Sequence, residues 1–379
     1  MMTEIILIII FAFLLIHYIY FLLQVFLGLN KLSTVTNDSI PDEFISIIIP
    51  FRSEEENIIN IYNSLIEQNY PAEKYEVIFI NDSSEDSSLE ILNRICDKKN
   101  VRIFSVPVDY SANAHKKRAI RFGLEKSIGE IIVTTDADCI HPKDWLSNLL
   151  KFMDNETGFV SGPVQFKYEN TIFKKMQRLE FAGLVITGAG LIGAGNPTIC
   201  NAANIAYRKK VYDEVGGFTY QMNLSSGDDE LLMQKIHSDT NHKIKFALDK
   251  NAIVTTNANS NIKDFYYQRK RWASKGLFYG DNLLLLKLIL IFLFYLSLII
   301  QPVFGVIISS KYLISFTVSY VCKIFIELLV MKRGIKLLFD KEMLKPFFIT
   351  ELIQVPYIII SGVSGLFGNY IWKNRKIKR

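Results

Sequence analysis

The sequence predicts an α/β protein with a mainly parallel sheet and helices on both faces, flanked by one N-terminal and about three C-terminal membrane segments. Three observations point there. Between residues 31 and 280, short and nearly all-apolar runs alternate with amphipathic stretches, as strands buried on both faces do when helices separate them. Long apolar runs occur only near the N-terminus and after Asp281. Half of the residues are hydrophobic and 13% aromatic, which is high for a water-soluble domain.

The first element, residues 5–26, has about the ~20 residues a helix needs to cross a bilayer. No basic stretch precedes it and no small-residue cleavage site follows, so it reads as an uncleaved anchor within a segment 1–29. The central domain, residues 30–280, opens with the strand FISIIIP (44–50) and a helix over 54–68 with Ile58, Ile61 and Leu65 on one side. The strand YEVIFIN (75–81), a helix over 88–96, a strand over 101–106, a helix over 116–127 and a strand over 131–135 continue the alternation. Residues 170–195 begin amphipathic, with Phe173, Met176 and Phe181 beside Lys174, Lys175 and Arg178, and end small and apolar. The apolar part is too short to span, so this stretch is either an interfacial segment or a buried core helix. In the last part, 281–379, residues 283–308, 312–331 and 347–370 are each long enough to span, the third interrupted by Pro356 and several glycines.

Composition excludes several functions. Cys96, Cys139, Cys200 and Cys322 are scattered without a CxxC pair, so neither a zinc knuckle nor a disulfide framework is expected. A net charge of +5 is mild, and the basic residues gather beside the apolar runs, at Lys332, Arg333, Lys336 and residues 373–379. That distribution suits anionic lipid headgroups and not a nucleic-acid groove.

In an open parallel sheet, ligands bind outside the carboxyl ends of the strands. After the first strand comes Phe51-Arg52-Ser53-Glu54, after the second Asp82-Ser83-Ser84, and after the fourth Asp136-Ala137-Asp138. Acids gathered on one edge repel one another unless a cation is present, and Mg2+ or Mn2+ takes oxygen ligands while sharing its shell with phosphates. Asp138, with Asp136 beside it, is therefore a candidate metal site for a diphosphate; the other reading is a solvated turn. Downstream, Asp228, Asp229 and Glu230 open an apolar helix, where acids also serve as simple N-terminal caps. YYQRKRWASKG (266–276) lies where Arg, Lys and Trp also settle as plain interfacial anchors.

Taken in order, these segments resemble the membrane-bound inverting glycosyltransferases of family 2, with a GT-A fold, a group that includes cellulose and hyaluronan synthases and ceramide glucosyltransferases. SIIIPFRSEEENI resembles the family's first strand and nucleotide-contacting loop, which implies donor contacts at Pro50, Arg52 and Glu54, with Ser53 where Asn is usual. VIFINDSSEDSS resembles the segment whose aspartate, here Asp82, contacts a uracil base. HKKRAI stands at the family's Gly-Lys-x-x-Ala-Leu stretch, with His115 for the glycine, and makes Lys116 and Lys117 donor-side candidates. TTDADC is similar to the D-x-D metal motif. GNPTICNAANIAYRK resembles the acceptor-side segment, centred on Asn204. GDDELL stands where Glu-Asp is usual, making Asp229 the match for the catalytic base and Asp228 its neighbour. QRKRW fits Q-x-x-R-W with Gln268, Arg271 and Trp272.

The resemblance implies a nucleotide-diphosphate sugar donor, UDP-linked, a divalent metal (Mg2+ or Mn2+), and a lipid or lipid-linked glycan acceptor. It implies that Asp229 takes the acceptor proton, that Arg271 and the metal stabilise the leaving diphosphate, and that Trp272 walls the acceptor. It also implies an integral protein of a bacterial inner membrane with its transferase domain in the cytoplasm. A processive polysaccharide synthase and a non-catalytic membrane scaffold are the alternatives. Positive-inside counting places both the basic loop 332–345 and the tail 373–379 on the cytoplasmic side, which predicts that residues 347–370 do not make a simple crossing.

Overall fold

A computed structural model of the chain describes residues 2–35, 41–110, 115–218, 227, 229–274, 279, 281–366, 370–372 and 375–377. In chain order the elements are α1 (Met2–Lys31), β1 (Ile45–Phe51), α2 (Ile58–Ile66), β2 (Tyr75–Asn81), α3 (Ser88–Ile95), β3 (Val101–Ser105), α4 (His115–Lys126) and β4 (Ile131–Thr134). There follow α5 (Trp145–Leu150), β5 (Thr157–Ser161), β6 (Val164–Phe166), α6 (Ile172–Gly193), β7 (Ile205–Arg208), α7 (Lys209–Glu214), α8 (Glu230–Asp239), β8 (Lys243–Phe246) and β9 (Val254–Thr256). The chain continues with α9 (Ile262–Ala273), α10 (Asn282–Ile307), α11 (Lys311–Leu338), α12 (Phe347–Leu366), β10 (Tyr370–Trp372) and β11 (Arg375–Ile377).

Contacts divide the chain into two compact units interleaved in sequence: Met1–Asn30 with Glu169–Ile186 and Asn259–Arg379, and Lys31–Tyr168 with Thr187–Ala258. Residues 169–186 and 259–274 fall in the first unit, together with the apolar helices. α6 runs through both units as one helix, and its second half is largely buried.

The sheet unit holds seven strands in the order β3-β2-β1-β4-β7-β5-β8. β1 pairs in parallel with β2 and β4, and β2 with β3, while β7 runs antiparallel to both β4 and β5. β2 and β4 are buried along their whole length and β1 at all but Pro50, so both faces need cover, which α4 supplies against β1 and β2. The chain steps outward from β1 to β3 and then returns to the other side of β1 as β4. That reversal opens a crevice at the carboxyl ends of β1 and β4. α2 begins four residues later than its apolar period predicts, because residues 52–55 bond to the loop after β2.

One buried amide ties the unit's distant segments together. Asn204 is fully buried; its Nδ2 donates to Pro163 O and Ala252 O, both at 2.8 Å, and its Oδ1 accepts from Trp145 Nε1 at 2.9 Å. A Cβ at Gly162 would lie 2.3 Å from that Nδ2, so only glycine fits there.

In the other unit, α1, α10, α11 and α12 are long and apolar enough to cross a membrane. α12 is continuous through Pro356, where the sequence suggested an interruption; its packing on α9 and α10 holds the turn that the missing donor weakens. Residues 370–372 and 375–377 pair as an antiparallel ribbon, a feature the basic tail did not announce. The helices bury a polar cluster. Lys323 Nζ, wholly buried, reaches Glu327 at 2.9 Å, Gln354 Oε1 at 2.6 Å and Glu351. Tyr18 donates to Glu327, and Tyr295 OH lies 3.3 Å from Glu327 Oε1 and 3.0 Å from Tyr18 OH. Removing the cation would leave two carboxylates buried against each other, so Lys323→Met should cost about 3–5 kcal/mol. Denaturant unfolding in detergent checks this, and a loss below about 1 kcal/mol would contradict the cluster.

Candidate active site

Three strand ends meet at the crevice edge. The loops after β1 and β2 each contain a serine in the left-handed region, Ser53 at φ 51° and Ser83 at φ 60°, a conformation uncommon outside glycine. Cross-bonds hold them there: Ser53 N donates to Ser84 Oγ at 3.0 Å, Glu54 N to Ser88 Oγ at 2.7 Å, and Arg52 Nη1 to Asp82 O at 3.0 Å. Arg52 also bonds Ser83 O and Glu85. Expected as a donor contact, Arg52 is instead buried with its two terminal nitrogens committed to the neighbouring loop. Pro50, half-buried at the end of β1, and Glu54, whose Oε2 accepts from Asn57 Nδ2 at 2.8 Å, stay at the crevice edge.

The first turns of α4 set two cations against two of the acids. Lys116 Nζ lies 2.5 Å from Asp136 Oδ1, and Arg118 Nη2 lies 2.5 Å from Asp82 Oδ1. Lys117, between them, is fully buried. Arg118 was not legible as a site residue; the available signal was its place two residues after Lys116 on a helix facing β1 and β2. Asp136 and Asp138 are both half-buried, with Cys139 Sγ 3.7 Å from Asp138 Oδ1. Burial, then Asp138 and Asp136, push the Cys139 thiol well above its ordinary value, which makes it a poor nucleophile.

Asp229 caps α8, its Oδ1 accepting from Glu230 N at 2.8 Å, while its Oδ2 accepts from Ala202 N at 2.9 Å. The cap and the bond to Ala202 thus use both oxygens of one carboxylate. Asp228 lies outside the described residues. The segment 202–204 joins Asp229 to the D-x-D strand: Thr135 Oγ1 donates to Ala203 O at 2.8 Å. Asn204 itself is spent in the core on the three bonds above, so its side chain is not presented to an acceptor, contrary to expectation. The backbone beside it does the joining.

Gln268, Arg271 and Trp272 belong to the other unit, half-buried on α9. Arg271 makes no side-chain hydrogen bond or ion pair to a described residue, and Trp272 packs on Phe181 with ring centroids 6.0 Å apart.

Behind the D-x-D turn, His141 stacks on Trp145 at 4.2 Å. Thr135 gives its only proton to Ala203, so the His141 Nε2–H donates to Thr135 Oγ1, 2.9 Å away. Burial pushes the imidazole down to about 3. The unfolded chain takes up this proton near pH 6.5 and the folded chain only near 3, so stability is full above 6.5 and falls by about 1.4 kcal/mol per unit below it. Unfolding measured at pH 6.5 and pH 4.5 should cost the parent chain ~2 kcal/mol more than His141→Gln; equal losses would mean the folded ring is not held neutral.

Residues 46–216 match the family model described as Glycosyl transferase family 2. The chain is 27% identical over 209 residues to glycosyltransferase AglE of Haloferax volcanii, covering 54% of this chain and 65% of that protein. It is 26% identical over 264 residues to the poly-beta-1,6-N-acetyl-D-glucosamine synthase of Staphylococcus aureus, covering 68% of this chain and 60% of that protein. It therefore spans less than two thirds of the length of both relatives. Among solved structures, the mannosyltransferase PcManGT from Pyrobaculum calidifontis in complex with GDP-Man and Mn2+ shares the fold with a TM-score of 0.59, over 95% of this chain and 99% of that one at 18% identity. The sheet is GT-A-like, and the stretch from β1 through α7, which contains the crevice and both acid-bearing loops, is the part of the chain that matches the Glycosyl transferase family 2 model.

Proposed function

We propose that the chain is an inverting, metal-dependent glycosyltransferase that moves a sugar from a UDP-sugar to a hydroxyl of a lipid or lipid-linked glycan. The reading includes a bacterial inner membrane crossed by the apolar helices, with the sheet unit on the cytoplasmic side, where nucleotide sugars are available. One observation supports it most: two hydrogen bonds, from Thr135 Oγ1 to Ala203 O and from Ala202 N to Asp229 Oδ2, tie the loop after β4 that carries Asp136 and Asp138 to the carboxylate of Asp229 by way of the backbone of residues 202–203.

In this reading the acceptor hydroxyl gives its proton to Asp229 as its oxygen attacks the anomeric carbon. The bond from that carbon to the diphosphate breaks on the opposite face, the bonding pair leaves with the nucleotide diphosphate, and the configuration inverts. Oδ1 and Oδ2 of Asp229 each accept a backbone N–H, which fixes the orientation of the carboxylate proposed to take the proton. Asp82 faces the base, with Arg118 fixing one of its oxygens, while Pro50, Glu54 and Lys116 line the donor side. Gln268 and Arg271 are assigned to the donor diphosphate, and Trp272 to the acceptor, on their motif alone.

A divalent ion fits the D-x-D turn as a shared ligand. Among the described residues no three acidic, His or Cys side chains gather to hold an ion by themselves, so Asp138, with Asp136, would hold Mg2+ or Mn2+ whose remaining shell is phosphate and water. When bound it supplies positive charge for the departing diphosphate.

The test is nucleotide diphosphate release by the purified chain in lipid vesicles across a panel of nucleotide sugars. Chelation should abolish release, and Asp138→Asn should weaken metal-dependent donor binding in a folded protein; full activity in excess chelator would remove the metal from the reading. Asp229→Asn should lower turnover by roughly two to four orders of magnitude with donor binding largely intact, and an unchanged turnover would move the base elsewhere. The likeness to a poly-beta-1,6-N-acetyl-D-glucosamine synthase favours a second reading, chain extension, which product length separates from single addition.

A further inference from the structure

α9 displays Gln268, Arg271 and Trp272 at i, i+3 and i+4, which places them on one helix face. Arg269, between them, turns inward and is the buried residue of the helix. Its guanidinium does three things at once. Nε donates to Glu180 Oε1 at 3.1 Å and Nη2 to Glu180 Oε2, a bidentate pair with a residue of α6. Nη1 donates to Gln268 Oε1. The planar group also lies over the rings of Phe265, 4.3 Å away, and Trp272, 4.4 Å away. Glu180 is braced in turn by Tyr357 OH of α12 at 3.0 Å.

These contacts determine which end of Gln268 is available. Its Oε1 takes a second hydrogen bond from Asn259 Nδ2 at 2.8 Å, and Asn259 is locked by Gln177, which accepts from its backbone N at 3.0 Å and donates to its carbonyl at 3.0 Å. The carbonyl end is saturated, so the amide NH2, which makes no bond to a described residue, is the end that can meet a ligand. A structural counter-ion for Glu180 would need only the pair. Arg269 in addition orients one motif side chain by hydrogen bonding and a second by stacking, and a lysine cannot match that fork and plane together.

We infer that Arg269, clamped by Glu180 and Tyr357, is a positioning residue that sets the Gln268 amide and the Trp272 ring for sugar transfer; this rests on the transferase reading above. The experiment compares the full parent chain in vesicles with Arg269→Lys and with Tyr357→Phe, which loses one hydrogen bond and no charge. Two quantities are read: nucleotide diphosphate release, and the emission of Trp272, isolated by subtracting the matching Trp272→Phe protein. Arg269→Lys should lower kcat about ten- to a hundredfold while the donor KM moves less than about threefold, and should shift the Trp272 emission. Tyr357→Phe should do the same to a smaller degree. Parental kcat with unshifted emission in Arg269→Lys would reduce Arg269 to a counter-ion and overturn the inference. If Arg269→Lys does not fold, Tyr357→Phe decides on the same two readouts. If the parent chain releases nucleotide diphosphate from no donor, the transferase reading falls, and the emission shift alone then upholds or removes the clamp.

Discussion

The three hydrogen bonds of the Asn204 side chain reach α5, the turn after β5 and the segment before β9, and the geometry of the crevice depends on them. With its amide fixed on all three, the backbone two residues earlier has little freedom, so Ala202 N and Ala203 O face Asp229 and Thr135 at bonding distance. A buried amide left partly unpaired costs more than its bonds contribute when complete. The arrangement is therefore held or lost as a whole, and the carboxylate at the head of α8 takes part of its position from an amide buried in the core.

Charge at the crevice edge is balanced more locally than a row of acids suggests. Asp82 and Asp136 end different strands, yet both face cations from the first turns of a single helix, through Arg118 and Lys116. A helix packed on β1 and β2 can reach both strand ends because β1 lies between β2 and β4.

Much of the fold was legible because its signals are local. β2 spans the residues its apolar run predicted, β3 and β4 end one residue early, and β1 is shifted by one residue; the acids after β1, β2 and β4 fall on one edge as a parallel sheet requires. What was not legible depends on partners far away in the sequence. Arg118 meets Asp82 across 36 residues, Trp145 meets Asn204 across 59 and Arg269 meets Glu180 across 89, and no period or motif encodes such pairings. Arg52 and Asn204 were assigned to ligands by their places in motifs, and a motif position reads the same whether its side chain faces the crevice or the core. The interleaving of the two units was invisible for the same reason: residues 169–186 are amphipathic enough to suit a membrane surface or a packed interior, and only their contacts decide.

That interleaving limits how the chain can be divided. The halves of the sheet unit, 31–168 and 187–258, are linked covalently through residues 169–186, whose packing partners lie in the apolar unit. Ile186 sits so close to α11 that a Cβ on Gly334 would come within 2.4 Å of it, and Leu179 and Phe181 are buried. A fragment cut before α10 would keep this linker and lose the surface that covers it, exposing an apolar stripe prone to self-association. Removing the linker instead would break the sheet unit's own chain. Soluble fragments of this protein therefore have to redesign the middle of α6, and trimming the ends will not suffice.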